Sequence, residues 1–371
     1  TFSIAAEEAT RLGGELLPLE VTEGTEGRSA IIRRFPVGVV FGISPFNFPL
    51  NLVAHKVAPA LACGCPIIIK PASKTPISSL LLGEVVTNAG WPSGALNVVP
   101  CEIPFAEEVA KDGRVKKLTF TGSPRVGWML KGKLAKKKVT LELGGNAGVI
   151  IHNDLTGAEF DFAVKRCVGG AFGYSGQVCI SVQRIYVHKD IFAKFSERFV
   201  SATKALRTGD PMSEKVQIAP MINEASLKET EARVADALLQ GGKLLAGGKR
   251  DGVFFEPTIL TNTNTRMTAC SEEAFAPLVT LEPYSEFEEA VKLVNDSPFG
   301  LQAGVFTRDI KNIFYAYENI EAGGVIAGDV PTFRTDNMPY GGVKDSGFGR
   351  EGVKYAIEEM TEPRSLVLNL K

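Results

Sequence analysis

Short apolar segments alternate with helix-like segments along the first half of the chain, and this alternation is the feature that most constrains the fold. The predicted strands are 37–43, 65–69, 95–99, 117–120 and 138–143. The predicted helices between them are 52–61, 77–89 and 104–111. Apolar strands that alternate with helices indicate a parallel sheet covered on both faces. The first half is therefore predicted to be a doubly wound domain of the nucleotide-binding type.

The same alternation resumes after residue 148 and predicts a second α/β domain. Its predicted helices are 160–172, 191–206, 225–239, 287–295 and 310–319. Its predicted strands are 184–188, 278–283, 303–307 and 324–327. The chain closes on an apolar strand, 365–371, that has few possible partners nearby in sequence. Such a strand is expected to pair elsewhere, here on a neighbouring subunit.

Length and charge narrow the class of protein. A chain of 371 residues is too long for one small core and indicates two or more domains. Its 41 basic and 42 acidic residues nearly cancel, which argues against nucleic acid or a membrane surface as a partner. Prolines and polar residues interrupt the most apolar region, 35–69, so it predicts a buried strand–helix–strand and not a membrane span. Residues 1–4 lack the start of a signal peptide.

Cysteine usage indicates reduced thiols and a cytoplasmic location. The six cysteines form no CxxC pair, and the three histidines lie far apart in sequence, so we predict neither a disulfide scaffold nor a metal site. Cys63 and Cys65 are separated by a single glycine. We interpret them as two small residues that close a helix, in preference to a redox pair.

Cys179 has two competing interpretations. It follows the turn Gly173-Tyr-Ser-Gly176, after the apolar-faced segment 160–172. Most cysteines are buried structural thiols. A cysteine on a glycine-lined turn can also be a nucleophile, because a substrate carbonyl can approach the backbone closely there. The cysteine alone does not decide between them.

Two polar residues lie at the ends of apolar strands. Glu142, in Leu141-Glu-Leu-Gly-Gly145, is expected to lose hydration, which raises the pKa of a carboxyl group towards that of a general base. The alternative is an ion pair with a lysine of 136–138. Asn47, in Pro45-Phe-Asn-Phe-Pro49, can donate to an oxyanion in a rigid pocket, or it is an ordinary turn residue.

Two further segments suit a phosphate or ribose. Gly122-Ser-Pro-Arg-Val-Gly127 joins a predicted strand to a predicted helix, where backbone amides can face a phosphate. It lacks the G-x-G-x-x-G spacing, so an ordinary turn is an equal alternative. Lys70 follows the strand that ends at Ile69, and ligands of open α/β sheets bind at that end of a strand. Its alternative is a solvated loop lysine.

Seven motifs occur in an order that resembles the aldehyde dehydrogenase superfamily. They are PFNFP, KPASKTP, FTGSPRVG, LELGG, GQVC, EEAFAP and YGGVKDSGFGRE. The similarity runs from Arg33 to Glu362. It looks most like the branch of lactaldehyde and non-phosphorylating glyceraldehyde-3-phosphate dehydrogenases. The resemblance also implies that an N-terminal portion of the family's chain is missing from this sequence.

The resemblance implies a role for each motif. The implied catalytic residues are Cys179 as nucleophile, Asn47 as oxyanion donor, Glu142 as base and Lys56 as support. The implied cofactor-binding residues, for NAD or NADP, are Ile43, Ser44, Pro45, Phe46, Asn47, Lys70, Ala72, Ser73, Phe120, Gly122, Ser123, Val126, Gly127, Glu142, Leu143, Gly144, Glu273 and Phe275. The implied substrate residues are Phe48, Val178, Ile180, Arg334 and Tyr340. For Arg334 a surface ion pair with Asp329 or Asp336 is an equal alternative.

The resemblance also implies a fold: a Rossmann-like cofactor domain, a second α/β catalytic domain and a small β oligomerisation arm. The predicted boundaries are 1–17 for a helix of the cofactor domain, 18–36 for an oligomerisation hairpin, 37–144 for the cofactor-binding domain, 145–345 for the catalytic domain, 346–360 for a return helix and 361–371 for an oligomerisation strand. A homodimer or homotetramer is expected.

The implied reaction is oxidation of a small polar aldehyde, such as lactaldehyde or a semialdehyde, to its acid. Ser73 stands where many NAD-preferring relatives carry a glutamate, which favours NADP. Asn146 and Cys101 also depart from the common pattern without removing a catalytic group. One alternative is a CoA-acylating semialdehyde dehydrogenase, against which Glu142 argues. Another is a non-catalytic truncated paralogue.

Overall fold

The computed structural model describes residues 1–369, which divide into two compact units. The first comprises Thr1–Glu142, Arg334–Gly341 and the described residues from Phe348 onward. The second comprises Leu143–Phe333 and Gly342–Gly347. The last two residues of the predicted final strand lie outside the described residues. The predicted domain boundaries remain predictions, although residues 334–341 fall in the first unit and not with the predicted catalytic domain.

The first unit is built mainly from helices and strands that alternate. Its elements up to the unit boundary are α1 (Phe2–Thr10), β1 (Gly14–Pro18), β2 (Arg28–Pro36), β3 (Val39–Ile43), α2 (Asn51–Ala62), β4 (Ile67–Lys70), α3 (Ile77–Asn88), β5 (Leu96–Val98), α4 (Ile103–Lys111), β6 (Val115–Thr121), α5 (Pro124–Lys133) and β7 (Lys138–Glu142). Buried aliphatic side chains of β3, β4 and α2, including Val40, Ile67 and Val57, form its core.

The central sheet of the first unit has the strand order β7-β6-β3-β4-β5, and all of these neighbours are parallel. The chain proceeds from β3 to β4 and β5 on one side, then returns to β6 on the other side. The strand order therefore reverses between β3 and β6. Ligands of doubly wound sheets bind outside the carboxyl ends of the strands at such a reversal.

The second unit also contains a mainly parallel sheet. Its elements are β8 (Ala147–Ile151), α6 (Gly157–Phe172), a 3₁₀ turn (Gly173–Gly176), β9 (Val182–His188), α7 (Lys189–Lys204), α8 (Glu224–Leu239), β10 (Lys243–Ala246), β11 (Arg250–Asp251), β12 (Phe254–Phe255), β13 (Thr258–Thr261), α9 (Thr268–Ser271), β14 (Leu278–Tyr284), α10 (Phe287–Asn295), β15 (Phe299–Gly300), β16 (Gln302–Phe306), α11 (Ile310–Asn319), β17 (Gly324–Ala327) and β18 (Val343–Lys344).

The seven-stranded sheet of the second unit has the order β10-β13-β14-β9-β8-β16-β17. Only β10 runs antiparallel to its neighbour. Strands β8, β9 and β14 are therefore adjacent and parallel, so the segments that enter them reach the sheet at the same edge. Helix α6 packs on this sheet through Phe160, Val164 and Val168.

The chain ends with β19 (Gly347–Phe348), α12 (Val353–Glu359) and β20 (Thr361–Asn369). Strand β20 pairs antiparallel with β2 along its whole length, from Arg28 opposite Asn369 to Pro36 opposite Thr361, and β1 completes the three-stranded sheet. The final strand was predicted to pair on a neighbouring subunit, and this is wrong for the edge of β20 that pairs with β2 of the same chain. A long-range partner within the chain was available in β2, and sequence distance had hidden it.

The predicted N-terminal helix is also shorter than expected. Helix α1 ends at Thr10, and Gly14 already begins β1. A methyl group on Gly14 would lie 2.2 Å from the carbonyl oxygen of Ile32, so the glycine permits close pairing with β2. In residues 1–369, no helix combines the length and apolarity that crossing a bilayer requires.

Candidate active site

The carboxyl ends of three strands in the first unit form one row. The ladder pairs Ile43 with Lys70 on one side and with Phe120 on the other. Lys70 is buried, and its Nζ donates to the carbonyl oxygen of Pro71 at 3.1 Å. The alternative of a solvated loop lysine is therefore wrong. The row ends where β7 brings Glu142 beside Thr121.

The strand-order reversal carries features that suit a nucleotide. Ser44, directly after β3, is buried, and its hydroxyl has no hydrogen-bond partner among residues 1–369. Ser123 precedes α5 without capping the helix with its side chain, and Pro124 occupies the first turn. A methyl group on Gly122 would lie 2.7 Å from the ring of Phe120, so only glycine keeps this turn clear. An orphaned hydroxyl and an uncapped helix start fit a polar, anionic group.

The remaining predicted cofactor residues of the first unit lie on the same loops. Pro45 and Phe46 follow Ser44 and are partly buried, Ala72 and Ser73 follow β4, and Val126 and Gly127 are in the first turns of α5. Asn47 is 3% exposed in the loop between β3 and α2, and Phe48 beside it is partly buried. An ordinary turn asparagine is usually exposed, so the burial of the Asn47 amide argues against that alternative.

Glu142 is a buried carboxyl group with no local partner. Its side chain is 3% exposed, and neither oxygen accepts a hydrogen bond from any of the described residues. Loss of hydration, together with the neighbouring Glu351 carboxylate, raises the pKa of Glu142 well above its usual value. The lysine alternative is wrong, because Lys137 donates to the carbonyls of Ala110 and Asp112 and Lys138 pairs with Glu362. The predicted desolvation is confirmed.

Lys56 and Glu351 form a buried ion pair close to the end of β6. The Lys56 ammonium lies 2.8 Å from Oε1 of Glu351 and donates to the hydroxyls of Thr121 at 2.6 Å and Thr119 at 3.3 Å. Burial alone would raise the pKa of Glu351, but Lys56 and Arg334 outweigh it and hold that pKa at about 2. Lys56 therefore lies in an internal charge network, and its role in supporting catalysis remains a prediction.

Arg334 extends this network. Its Nη2 lies 3.3 Å from Oε2 of Glu351 and 3.2 Å from Nδ1 of His55, and its guanidinium lies 3.7 Å above the ring of Tyr340. Burial and, after it, the charge of Arg334 lower the pKa of His55 to about 4. The imidazole is therefore neutral, and its Nδ1 accepts a hydrogen bond from Arg334. The predicted surface pairs of Arg334 are wrong, because Asp336 contacts His55 and Asp329 pairs with Arg166.

Sequence reasoning missed Glu351 and His55. Glu351 lay in the quoted motif YGGVKDSGFGRE, yet nothing in the motif identifies it as the partner of Lys56, since 295 residues separate the two. The Tyr340 and Glu351 backbones exchange two hydrogen bonds, which aligns the two motif halves. A methyl group on Gly341 would lie 2.9 Å from Oε1 of Glu142, so this glycine leaves room for the carboxyl group.

In the second unit, Cys179 follows a left-handed turn. Tyr174, Ser175 and Gly176 all have positive φ, at 55°, 55° and 68°. Two consecutive non-glycine residues in this region are strained, and such strain persists only where the surroundings hold it. Cys179 is partly exposed, unlike the fully buried Cys167. Partial exposure argues against the interpretation of Cys179 as a buried structural thiol.

Three contacts hold the turn. The Ser175 hydroxyl donates to the carbonyl oxygen of Ala219 at 2.8 Å and accepts from its N–H at 2.9 Å. The amide oxygen of Gln177 accepts from the N–H of Ile222 at 2.9 Å. A methyl group on Gly176 would lie 2.0 Å from the carbonyl oxygen of Ala276. Backbone and side-chain contacts therefore anchor the segment that leads to Cys179.

The segments entering β8 and β14 meet this turn. A methyl group on Gly145 would lie 2.2 Å from the carbonyl oxygen of Cys179, and one on Gly144 would lie 2.5 Å from Oε2 of Glu273. Oε1 of Glu273 accepts from the N–H of Gly145 at 2.9 Å. Burial raises the pKa of Glu273 to about 7, and the Gly145 bond opposes it. The glycine pair thus brings Cys179 and Glu273 together.

The other predicted residues of this unit lie on the same segments. Leu143 is buried beside Gly144, Val178 and Ile180 flank Cys179, and Phe275 has the unusual φ of 41° two residues after Glu273. Sequence reasoning missed Gln183, which donates to the carbonyl oxygen of Gly145 and accepts from the N–H of Ala274. Its signal was weak, because a buried glutamine in a strand has no motif of its own.

The two units carry different reactive groups. The first carries a buried carboxyl group, a buried amide and strand ends suited to a nucleotide, and the second carries a partly exposed thiol. If a dinucleotide binds, Ser44, Lys70 and Ser123 are positioned to hold its polar part. Among residues 1–369, no group of three or more His, Cys, Asp or Glu side chains is arranged to bind a metal. A thiol, an amide and a desolvated carboxyl group are the groups that acyl transfer through a covalent intermediate needs.

Comparison with known proteins agrees with this chemistry. The family model described as "Aldehyde dehydrogenase family" matches residues 1–366. The chain is 47% identical to 3-sulfolactaldehyde dehydrogenase of Priestia aryabhattai over 371 residues, which cover 100% of this chain and 77% of that protein. The relative thus contains sequence that this chain does not match.

Solved structures share the fold. Aldehyde dehydrogenase 21 of Physcomitrella patens, determined with its reaction product succinate, is 46% identical, has a TM-score of 0.96 and is matched over 99% of this chain and 76% of that chain. The glyceraldehyde-3-phosphate dehydrogenase of Methanocaldococcus jannaschii, determined with NADP, is 40% identical, with a TM-score of 0.93 and coverage of 99% and 79%. The predicted family and α/β fold class are confirmed. The chain belongs to the aldehyde dehydrogenase family and is an NAD(P)-dependent aldehyde dehydrogenase.

Proposed function

We propose that this enzyme oxidises a short polar aldehyde with an anionic or hydroxylated tail to the carboxylic acid. The observation that carries the proposal is the partly exposed Cys179 on a strained, anchored turn, which is where a nucleophile is needed. A bound NAD or NADP supplies the two-electron acceptor for the oxidation. The remaining steps belong to side chains of this chain.

Cys179 and Asn47 carry the first step. The Cys179 sulfur attacks the aldehyde carbon to form a thiohemiacetal, and negative charge grows on the aldehyde oxygen. The Asn47 amide and the Cys179 backbone N–H are the proposed donors to that oxygen. Loss of one such donor typically raises the barrier by about 3–4 kcal/mol. Burial of the Asn47 amide supports this role, because a hydrogen-bond donor shielded from water does not have to reorient as charge develops on the aldehyde oxygen.

Glu142 carries the second step, hydrolysis of the Cys179 thioester. Its carboxylate removes a proton from water while the water oxygen attacks the thioester carbon, and the C–S bond then breaks to release the carboxylic acid and the Cys179 thiolate. A carboxyl group whose pKa is raised by burial is a stronger base than an exposed one when it ionises. The Lys56–Glu351 pair is the proposed support, since both of its charges lie in the same buried network.

We propose NADP as the preferred cofactor. Ser73 is exposed and neutral where a carboxylate would repel a 2′-phosphate, and Lys74 next to it is exposed. Lys70 is the buried cation at the end of the neighbouring strand. A relative of known structure binds NADP. Glu273 and Phe275 are the proposed contacts to the nicotinamide end, with Leu143 and Gly144 beside them.

Arg334 and Tyr340 are the proposed contacts to the substrate tail, with Phe48, Val178 and Ile180 as apolar walls. Arg334 keeps 12% of its side chain exposed although it pairs with Glu351. Among its relatives, one acts on 3-sulfolactaldehyde and another was determined with succinate, and both compounds carry a strong anion. A guanidinium matches sulfonate and carboxylate geometry.

An aldehyde panel tests the proposed function. Sulfolactaldehyde, lactaldehyde, succinate semialdehyde and neutral propionaldehyde are assayed with NAD and with NADP, following absorbance of the reduced cofactor. We expect the highest kcat/KM for an anionic aldehyde with NADP, and the free acid as product without CoA. A preference for propionaldehyde, or a requirement for CoA, would overturn the proposal.

Arg334→Gln separates tail binding from the charge network. We expect a raised KM for the anionic aldehyde and an unchanged KM for propionaldehyde, while any effect through Glu351 lowers kcat for both. Arg166→Gln is the matched control, because Arg166 is a partly buried arginine paired with Asp329 in the other unit. Equal KM changes for both aldehydes would remove Arg334 from the substrate site.

A homodimer or homotetramer in the cytoplasm is the proposed state. Leu366 and Val367 of β20 are 57% and 53% exposed, which is unusual for adjacent apolar residues of a strand. Light scattering should give two or four times the chain mass of 39.8 kDa. Leu366→Lys should lower that mass, and an unchanged mass would exclude this strand from the interface.

A further inference from the structure

Two buried amide side chains of the second unit contact the segments around Glu273, and the proposed function does not use them. Gln183, the second residue of β9, is 2% exposed. Asn146, directly before β8, is 3% exposed. The Nδ2 of Asn146 donates to Oε1 of Gln183 at 3.2 Å. Two amides buried side by side are costly unless their other donors and acceptors are also bonded.

Gln183 joins the segments that enter β8 and β14. Strand β9 lies between these two strands in the sheet, so the Gln183 side chain reaches backbone on both sides. Its Nε2 donates to the carbonyl oxygen of Gly145 at 3.0 Å, and its Oε1 accepts from the N–H of Ala274 at 2.9 Å. Both residues precede their strands, where the ladder bonds of the sheet have not yet begun. The amide of Gln183 therefore holds the two segments together at this level.

Asn146 adds a second bridge between the same segments. Its Nδ2 also donates to the carbonyl oxygen of Glu272 at 3.2 Å. Its own carbonyl oxygen accepts from Nε and Nη2 of Arg184 at 3.2 and 2.9 Å. The buried Arg184 also donates to the carbonyl oxygen of Leu293 at 2.8 Å, in the last turn of α10, where the helix dipole favours a cation. The bridge is thus anchored in the core of the second unit.

Glu273 lies between the residues that this bridge holds. Asn146 bonds the residue before it, and Gln183 bonds the residue after it. The Glu273 side chain bends towards the other segment, where Oε1 accepts from the N–H of Gly145 at 2.9 Å. Gln183 bonds the carbonyl oxygen of that same glycine. Both the backbone of Glu273 and the hydrogen-bond partner of its carboxyl group therefore depend on the two amides.

We propose that Gln183 and Asn146 are positioning residues that hold the Glu273 carboxyl group in place for the nicotinamide end of the cofactor. This inference rests on the proposed contact between Glu273 and that end of NAD or NADP. A cofactor that had to order the Glu273 segment on binding would lose affinity, and a segment already fixed avoids that loss. Because the amides act through Glu273, their loss should weaken cofactor binding only where Glu273 keeps its carboxyl group.

A double-mutant cycle on cofactor binding tests this proposal. The dissociation constants of NADP and NAD are measured by isothermal titration calorimetry for the parent chain, Gln183→Met, Glu273→Gln and the double variant. Methionine keeps the length of glutamine without its amide. We expect Gln183→Met to raise the dissociation constant by about tenfold. The double variant should bind no more weakly than Glu273→Gln alone, because residues that act as one unit are not additive.

Gln302→Met is the matched control. Gln302 is a 4% exposed glutamine of β16 in the same sheet, and its Nε2 also donates to backbone carbonyls, those of Pro331 and Phe333. It should lower Tm as Gln183→Met does and leave both dissociation constants unchanged. An equal rise in the two glutamine variants would overturn the proposal. A double variant weakened by the product of the two single effects would also overturn it.

The pH dependence of Tm gives a readout without cofactor. The N–H of Gly145 holds the pKa of Glu273 down against burial. If Gln183→Met lets this N–H move away, the pKa of Glu273 rises further, so its contribution to stability is lost at a higher pH. We expect the decline in Tm to be displaced to higher pH in Gln183→Met and not in Gln302→Met. An undisplaced decline would show that Gln183 does not hold this contact.

The binding measurement separates this inference from the proposed function. A parent chain that binds cofactor and oxidises no aldehyde would overturn the proposed function, while the cycle still decides the role of Gln183. If Glu273→Gln binds both cofactors as tightly as the parent chain, Glu273 is not in the cofactor site and the inference fails. Asn146→Ala removes the second bridge and keeps Gln183, so it carries the same cycle if Gln183→Met does not fold.

Discussion

Glu142 and Glu351 show how neighbouring carboxyl groups acquire opposite proton affinities. Both are buried, so both lose hydration. Glu351 gains two direct cationic partners, Lys56 and Arg334, and its pKa falls to about 2. Glu142 has no hydrogen-bond partner among the described residues, and the charge of Glu351 adds to its burial, so its pKa rises. Direct cations therefore decide which carboxyl group stays charged.

Glu142→Gln should separate the two chemical steps. We expect a burst of reduced cofactor close to one per active site, followed by turnover slowed by about 10²–10⁴-fold, because a glutamine cannot remove a proton from the hydrolytic water. Stopped-flow absorbance measures both phases. Cys179→Ala is the control and should show neither burst nor turnover. Full activity of Glu142→Gln would mean that another group is the base.

At the scale of elements, the turn from Gly173 to Cys179 depends on contacts from two separate segments, residues 219–222 and the segment around Ala276. Ser175 is held by Ala219, Gln177 by Ile222, and Gly176 fits against Ala276. The turn itself is unfavourable, since consecutive left-handed residues cost about 1–3 kcal/mol each. The position of the nucleophile is thus a property of the packed second unit and not of the seven residues from Gly173 to Cys179 by themselves.

Gly176→Ala should displace the turn, and Gly173→Ala should not. A methyl group on Gly176 would meet the carbonyl oxygen of Ala276, at a φ of 68° that disfavours alanine. Gly173 has a φ of −54°, and nothing lies within 4 Å of its methyl position. We expect Gly176→Ala to lose most kcat/KM and to alkylate at Cys179 at an altered rate, measured with iodoacetamide. Equal behaviour of the two variants would contradict the role of the Gly176–Ala276 contact in placing Cys179.

At the scale of the whole molecule, buried acids link folding to pH. Glu273 has a folded pKa of about 7 against an unfolded value near 4.5, so the folded chain binds a proton there more tightly than the unfolded chain. Its contribution to stability is fully present below about pH 4.5 and is lost as pH rises through about 7. Glu351 acts oppositely: its contribution is present above about pH 4.5 and is lost as pH falls through about 2.

Glu273→Gln should therefore flatten the pH dependence of stability between pH 4.5 and 7. Glutamine keeps a neutral oxygen for the N–H of Gly145 and cannot ionise. We expect Tm of the variant without bound cofactor to decline less over this range than Tm of the parent chain, measured by circular dichroism. Glu214→Gln, an exposed turn residue, should leave the slope unchanged. An identical slope for Glu273→Gln would show that Glu273 does not carry this linkage.

The sequence by itself determined the alternating α/β architecture, the family and the residue types of the chemistry. Strand and helix patterns are local, and the motifs around Asn47, Glu142 and Cys179 are contiguous, so both can be identified without a structure. The desolvation of Glu142 was also predictable, because an apolar strand ending in two glycines has few polar groups to offer it.

Only the tertiary structure decided the partners. It paired Lys56 with Glu351, placed Arg334 between Glu351 and His55, and joined β20 to β2 of the same chain. It also showed that the glycine-lined turn before Cys179 is strained and anchored by distant residues. These contacts join residues far apart in sequence, and their energies depend on burial and on distances of a few ångströms. No local pattern encodes such distances, because they arise only when separate elements pack.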